Sequence, residues 1–251
     1  MLTNQTIDLL RSLKLHGMAN AFEQQLLHPA TYDLPFEERF GLLVDREVSL
    51  RDSRRLARLL KSANLRHNAC IEDIDYHKRR SGLDRRQIAN LASCDWVRAR
   101  QNLIITGPTG IGKSWLATAF AQAACRQGLS VLHARCSRLL EDLHIAHGNG
   151  SFARKLHQLA RIDLLLLDDW GMAKLTQSER MDLLEVLEDR CAKRSTIVTS
   201  QVPVSDWHHV VGSPTLGDAI VDRLLTSAHQ VTLSGQSMRP HAPESKYADP
   251  A

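Results

Sequence analysis

The residues whose types and spacing best fit a chemical role are Gly107-Pro108-Thr109-Gly110-Ile111-Gly112-Lys113-Ser114. They match G-x-x-x-x-G-K-[ST] and lie between the apolar run Leu103-Ile-Ile-Thr106 and a helical stretch from Lys113 to Arg126. A glycine-rich turn at a helix N-terminus aims backbone N–H groups at an anion, so this segment is expected to wrap phosphates. Lys113 would reach the outer phosphates and the Ser114 hydroxyl would hold Mg²⁺, with Trp115 ending the cofactor-binding run that starts at Gly107. A second group is Leu164-Leu-Leu-Leu-Asp168-Asp169. A buried strand ending in a carboxylate places Asp168 at the carboxyl edge of a sheet, where open α/β sheets bind ligands. There Asp168 would hold the metal through water, and Asp169 would orient or deprotonate an attacking water. Asp169 has a second reading, as the N-cap of the turn at Trp170-Gly171.

These groups need strands and helices to bring them together, and the pattern after Gln101 supplies both. Apolar runs at 103–106, 130–133, 164–167, 196–199 and 230–233 alternate with helical stretches at 113–126, 139–146, 152–160 and 178–193 and with more helix through Leu225. That alternation predicts a parallel, three-layer α/β sheet. The first hundred residues read as wholly helical, with no strand signal: Gly17 is a break, Pro29 a stop, Pro35 part of a helix's first turn, and Asp84 an N-cap. The domain reading is a helical domain over 1–95, an α/β domain over 96–234, and a disordered tail over 235–251.

Charge is unevenly spread. The chain of 251 residues has 32 Lys+Arg and 28 Asp+Glu, yet residues 51–100 hold 13 basic and 6 acidic residues, a net +7. Arg51, Arg54, Arg55, Arg58 and Lys61 recur at helical steps between Leu56, Leu59 and Leu60, which predicts a helix with a basic face. Lys78, Arg79, Arg80, Arg85 and Arg86 form a second cluster. Both clusters read either as solvated faces or as contacts to a phosphate backbone, which give salt-sensitive affinity without sequence preference. An aromatic content of 5% weighs against a stacking platform for single strands. Several classes are excluded. With 43% hydrophobic residues the chain is not disordered as a whole, and no apolar run approaches the ~20 residues of a membrane span. No secretory leader is apparent, and five scattered cysteines without a CxxC pair fit a reducing cytoplasm better than a disulfide or zinc framework.

Taken together, the chain resembles the AAA+ ATPases, and more closely the IstB-like transposition helpers, relatives of DnaC-type helicase loaders and DnaA-type initiators. The resemblance rests on Cys94-Asp-Trp96, Gly107 to Ser114, Leu167-Asp-Asp-Trp-Gly171, Leu184 to Arg190, Ser195 to Gln201, Gly217 to Leu224 and Gly235-Gln-Ser-Met-Arg239. It implies an ATP hydrolase using ATP and Mg²⁺ that oligomerises on double-stranded DNA as a ring or spiral filament and recruits a transposase. It further implies that Gln201 is the sensor of the γ-phosphate and that Arg223 is an arginine finger offered to a neighbouring subunit. Helices between the second and third strands would carry Arg154 and Lys155 toward DNA. Two departures stand out: Asp169 occupies the usual place of a Glu, and only 28 residues follow Arg223, too few for the usual lid. Arg239 reads either as a second sensor or as a residue of the disordered tail. A helicase loader, and an ATP-sensing module with little hydrolysis, stay open as alternatives.

Overall fold

A computed structural model describes residues 2–28, 31, 33–76 and 80–238, with only the backbone described at Leu2 and Arg80. The chain divides into two compact units, Met1–Leu59 and Leu60–Ala251.

Within the first unit, α1 (Leu2–Ser12) and α2 (His16–Leu27) precede α3 (Phe36–Ala63), which continues into the second unit. Pro35 stands just outside α3, and its carbonyl accepts the Arg39 N–H at 3.1 Å. The predicted break at Gly17 comes earlier instead, at Lys14, whose φ is 62°. Gly17 lies inside α2, where a Cβ would sit 2.6 Å from the Glu47 Cα. Its bare backbone therefore brings α2 against α3, and the buried Glu47 carboxylate accepts the Gly17 and Met18 N–H groups at 2.6 and 3.2 Å.

The second unit opens, after α3, with a 3₁₀ turn at Ile71–Asp73 and continues through β1 (Arg80–Ser81), α4 (Arg85–Ala92) and α5 (Asp95–Arg98). The Asp84 carboxylate caps α4 as expected, accepting the Arg86 N–H at 2.7 Å. Next come β2 (Asn102–Thr106), α6 (Lys113–Arg126), β3 (Val131–Arg135), α7 (Cys136–Gly148), α8 (Phe152–Arg161) and β4 (Leu164–Trp170). The chain then forms α9 (Gln177–Arg190), β5 (Ser195–Ser200), α10 (Trp207–Val211), α11 (Pro214–Leu225), β6 (Ala228–Thr232) and β7 (Ser234–Gly235). Five strands make one parallel sheet in the order β3-β4-β5-β2-β6. The apolar runs become its strands because β2, β4 and β5 are buried along nearly their whole length and are apolar through their middles. Ile104, Leu165, Leu167 and Val198 join side chains of α7 to α11 in one core, and α6 covers the other face. The buried Arg190 guanidinium donates to the carbonyls of Leu159, Ile162 and Ser195, tying α8 to the start of β5.

Three expectations need correction. A strand does occur in the first hundred residues: β1 pairs antiparallel with β7, Arg80 opposite Gly235 and Ser81 opposite Ser234. Two-residue strands carry no periodicity, so only the partner reveals them. The compact units part at Leu59, well ahead of residue 95, because 60–98 packs through the Ile71–Asp73 turn and α4 onto α6. Residues 235–238 of the expected tail fold back, with the Met238 N–H on the Gly110 carbonyl at 2.9 Å. The rest of that tail lies outside the described residues.

Candidate functional site

Strand β2 leaves the sheet at Thr106 and the glycine-rich turn delivers the chain into α6 at Lys113. The turn borders a cavity of about 520 Å³ lined by Thr109, Gly110, Gly112, Lys113, Ser114, Trp115, Asp169 and Gln201. Arg66, His67, Asp73 and Asp75 line it from the segment after α3, and Met238 from the C-terminal segment. Gly107 and Pro108 build the turn, and the Pro108 carbonyl accepts the Lys113 Nζ–H at 3.0 Å. Ile111 is fully buried beneath the turn.

Asp168 is completely buried at the carboxyl end of β4. Its Oδ1 accepts the Ser114 hydroxyl at 2.7 Å and the Thr199 hydroxyl at 2.5 Å. Its Oδ2 accepts no hydrogen bond among the described residues, and His133 Nε2 stands 3.6 Å from it, beyond hydrogen-bond length. Burial opposes ionisation of this carboxyl, but His133, Thr199 and Ser114 outweigh it and hold the pKa down at about 2. An ionised carboxylate with one unsatisfied buried oxygen, beside a hydroxyl at the mouth of a phosphate turn, is the oxygen donor set that suits a hard divalent cation. Ser114 and Asp168 thus fit Mg²⁺.

Asp169 follows in a β-bulge: the β4–β5 register shifts between Leu167 and Trp170, and Asp169 has φ 61°. The bulge breaks the strict alternation of a strand and turns Asp169 toward the cavity. The N-cap reading of Asp169 fails, because β4 runs on to Trp170 and Thr176 caps the next helix. Gln201, just past β5, reaches the turn, with Thr109 Oγ1 donating to Gln201 Oε1 at 2.5 Å. Spacing alone missed Thr199 as a bridge and His133 as a neighbour of Asp168. Thr199 donates to Asp168 and accepts the Asp169 N–H at 3.1 Å. His133 sits on a strand whose only signal was apolar.

The remaining expected site residues lie elsewhere. Arg51, Arg54, Arg55, Arg58 and Lys61 are exposed along α3, with Arg51 also bonded to Glu47. Lys78 and Arg79 lie outside the described residues, as does Arg239, and Arg85 of the same cluster stacks over the Tyr76 ring at 4.8 Å. Arg154 is exposed on α8, whereas Lys155 pairs with Asp142 at 3.3 Å. Arg223 does not border the cavity; its guanidinium donates to Glu188 Oε1 at 2.5 Å and to the Ala219 carbonyl at 2.8 Å.

The matches to known proteins agree with this geometry. The insertion-sequence IS1162 protein of Pseudomonas fluorescens, named for ATP binding, is 55% identical over 82% of this chain and 89% of its own length. The y4pL protein of Sinorhizobium fredii, likewise named as an insertion-sequence ATP-binding protein, is 48% identical over 95% of this chain and 97% of its own. The crystal structure of DnaI shares the fold with a TM-score of 0.57 at 20% identity, covering 68% of this chain and 91% of that one. The IstB-like ATP-binding protein family matches residues 8–245, and the chain belongs to that family.

Proposed function

We propose that the protein is an ATP-dependent assembly factor that oligomerises on double-stranded DNA and recruits the transposase of an insertion sequence, with ATP hydrolysis triggering release. The observation that carries the ATPase part is the hydroxyl–carboxylate pair of Ser114 and Asp168 at the mouth of the phosphate turn, with Asp169 turned into the same cavity. Bound Mg²⁺ would neutralise the developing phosphate charge there. The turn and Lys113 hold the phosphates, Gln201 faces them from the end of β5, and Asp169 positions the attacking water and accepts its proton.

As the family resemblance implies, Arg223 acts on the nucleotide of a second copy; within its own chain it pairs with Glu188 and does not line the cavity. Hydrolysis then requires assembly, and nucleotide raises the affinity of neighbours for one another. Support for the DNA reading is the exposed basic row of α3, and support for the transposase is the naming of the relatives after insertion sequences. The reading places the protein in the cytoplasm; no helix among the described residues is long and apolar enough to cross a membrane. The test is steady-state ATPase against protein concentration with and without long duplex DNA. Lys113→Ala and Arg223→Ala should both be inactive, Arg223→Ala while still binding nucleotide. Normal turnover by Arg223→Ala at every concentration would refute the shared site.

A further inference from the structure

Helix α3, which bears the exposed Arg51, Arg54, Arg55, Arg58 and Lys61, ends at the fully buried Ala63. Asn64 follows with φ 52°, a left-handed turn that Asn tolerates well, and it ends the helix there. The Asn64 carbonyl lies 3.2 Å from His133 Nδ1. A carbonyl only accepts, so Nδ1 carries the hydrogen and the ring is fixed by this bond. The other nitrogen of the same ring, Nε2, is 3.6 Å from the Asp168 oxygen that has no hydrogen bond. His133 is itself buried at 8% exposure, at the middle of β3 beside β4. One rigid ring thus spans from the end of α3 to the free oxygen of the metal-binding carboxylate, and any shift of Asn64 changes the field at that oxygen. The chain after Asn64 then lines the nucleotide cavity through Arg66 and His67.

We propose that His133 is a positioning residue that couples the end of α3 to the Asp168 carboxylate, so that duplex DNA on α3 and magnesium nucleotide at Asp168 raise each other's affinity. The inference rests on the reading of α3 as the DNA-binding helix. Because linkage is reciprocal, one measurement in either direction suffices.

The experiment measures binding of a fluorescent, non-hydrolysable ATP analogue with Mg²⁺, in the presence and absence of saturating duplex DNA, for the full-length protein and two variants. Wild type should bind the analogue about 5- to 150-fold more tightly with DNA, the usual range of coupling between sites. His133→Phe keeps the ring volume without its nitrogens and should bring the ratio to within about twofold of one, while DNA affinity without nucleotide stays unchanged. His133→Gln retains N–H donors and should recover most of the ratio. If His133→Phe does not fold, His133→Ala takes its place in the same comparison. A wild type that binds duplex and nucleotide independently, or a His133→Phe with the wild-type ratio, overturns the proposal. A wild type that binds no duplex at all overturns instead the reading of α3 on which it rests.

Discussion

Among single residues, Thr199 is the one that bridges Asp168 and Asp169. Its hydroxyl donates to Asp168 and accepts from the Asp169 backbone, so one oxygen sets both carboxylates of the site. Thr199→Val keeps the shape and removes that oxygen, leaving a buried carboxylate oxygen and a backbone N–H each short of a partner. The expected loss of stability is about 2 kcal/mol, read by urea unfolding. Nucleotide affinity should fall with Mg²⁺ present and stay the same in excess chelator. Asp168 also has a pH signature. Its pKa is depressed from 3.8 to about 2, so its ionised form stabilises the fold above pH 3.8, and that contribution is lost as pH falls toward 2. Across this window wild type should lose about 2 kcal/mol more than Asp168→Asn, measured by unfolding at successive pH values.

At the level of elements, the C-terminal segment is as much a part of the site as the glycine-rich turn. Leu233 donates to the Thr106 carbonyl at 2.8 Å, β7 pairs with β1, and Met238 bonds to Gly110. Two glycines make room for it: a Cβ at Gly82 would sit 1.9 Å from the Thr232 carbonyl oxygen, and one at Gly110 would sit 2.2 Å from the Ser237 hydroxyl. Both also have positive φ, 93° and 81°, a second reason for glycine. Gly82→Ala is therefore expected to lift the segment off the turn without melting the five-stranded sheet. Nucleotide affinity should drop about tenfold, the equivalent of one lost contact of 1.4 kcal/mol, while far-UV circular dichroism is retained. Unchanged affinity would show that the segment only covers the turn.

For the molecule as a whole, the proposed function draws on the basic row of α3, which is exposed, and on Arg223, which is held by Glu188. Contacts to a phosphate backbone release counterions, so each one steepens the salt dependence of binding. Replacing Arg54 or Arg58 by Ala should weaken binding to duplexes of unrelated sequence to the same degree and reduce the slope of log affinity against log salt by about one. Fluorescence anisotropy across a salt series checks this. An unaltered slope would assign these side chains to solvent.

What the sequence determined by itself was local in origin. The glycine-rich turn, the apolar strands of the sheet, the Asp84 cap and the start of α6 at Lys113 each follow from neighbouring residues, whose sterics and hydrogen bonds act over a few positions. Read as a whole, the same residues resembled the family that the relatives confirm. Tertiary structure alone decided the bulge that turns Asp169, the hydroxyl bridge of Thr199, the His133 ring between Asn64 and Asp168, and the return of residues 234–238 onto the turn. Each of these joins positions 30 to 128 residues apart. No local propensity encodes such pairs; they form only when burial of the sheet brings their strands together.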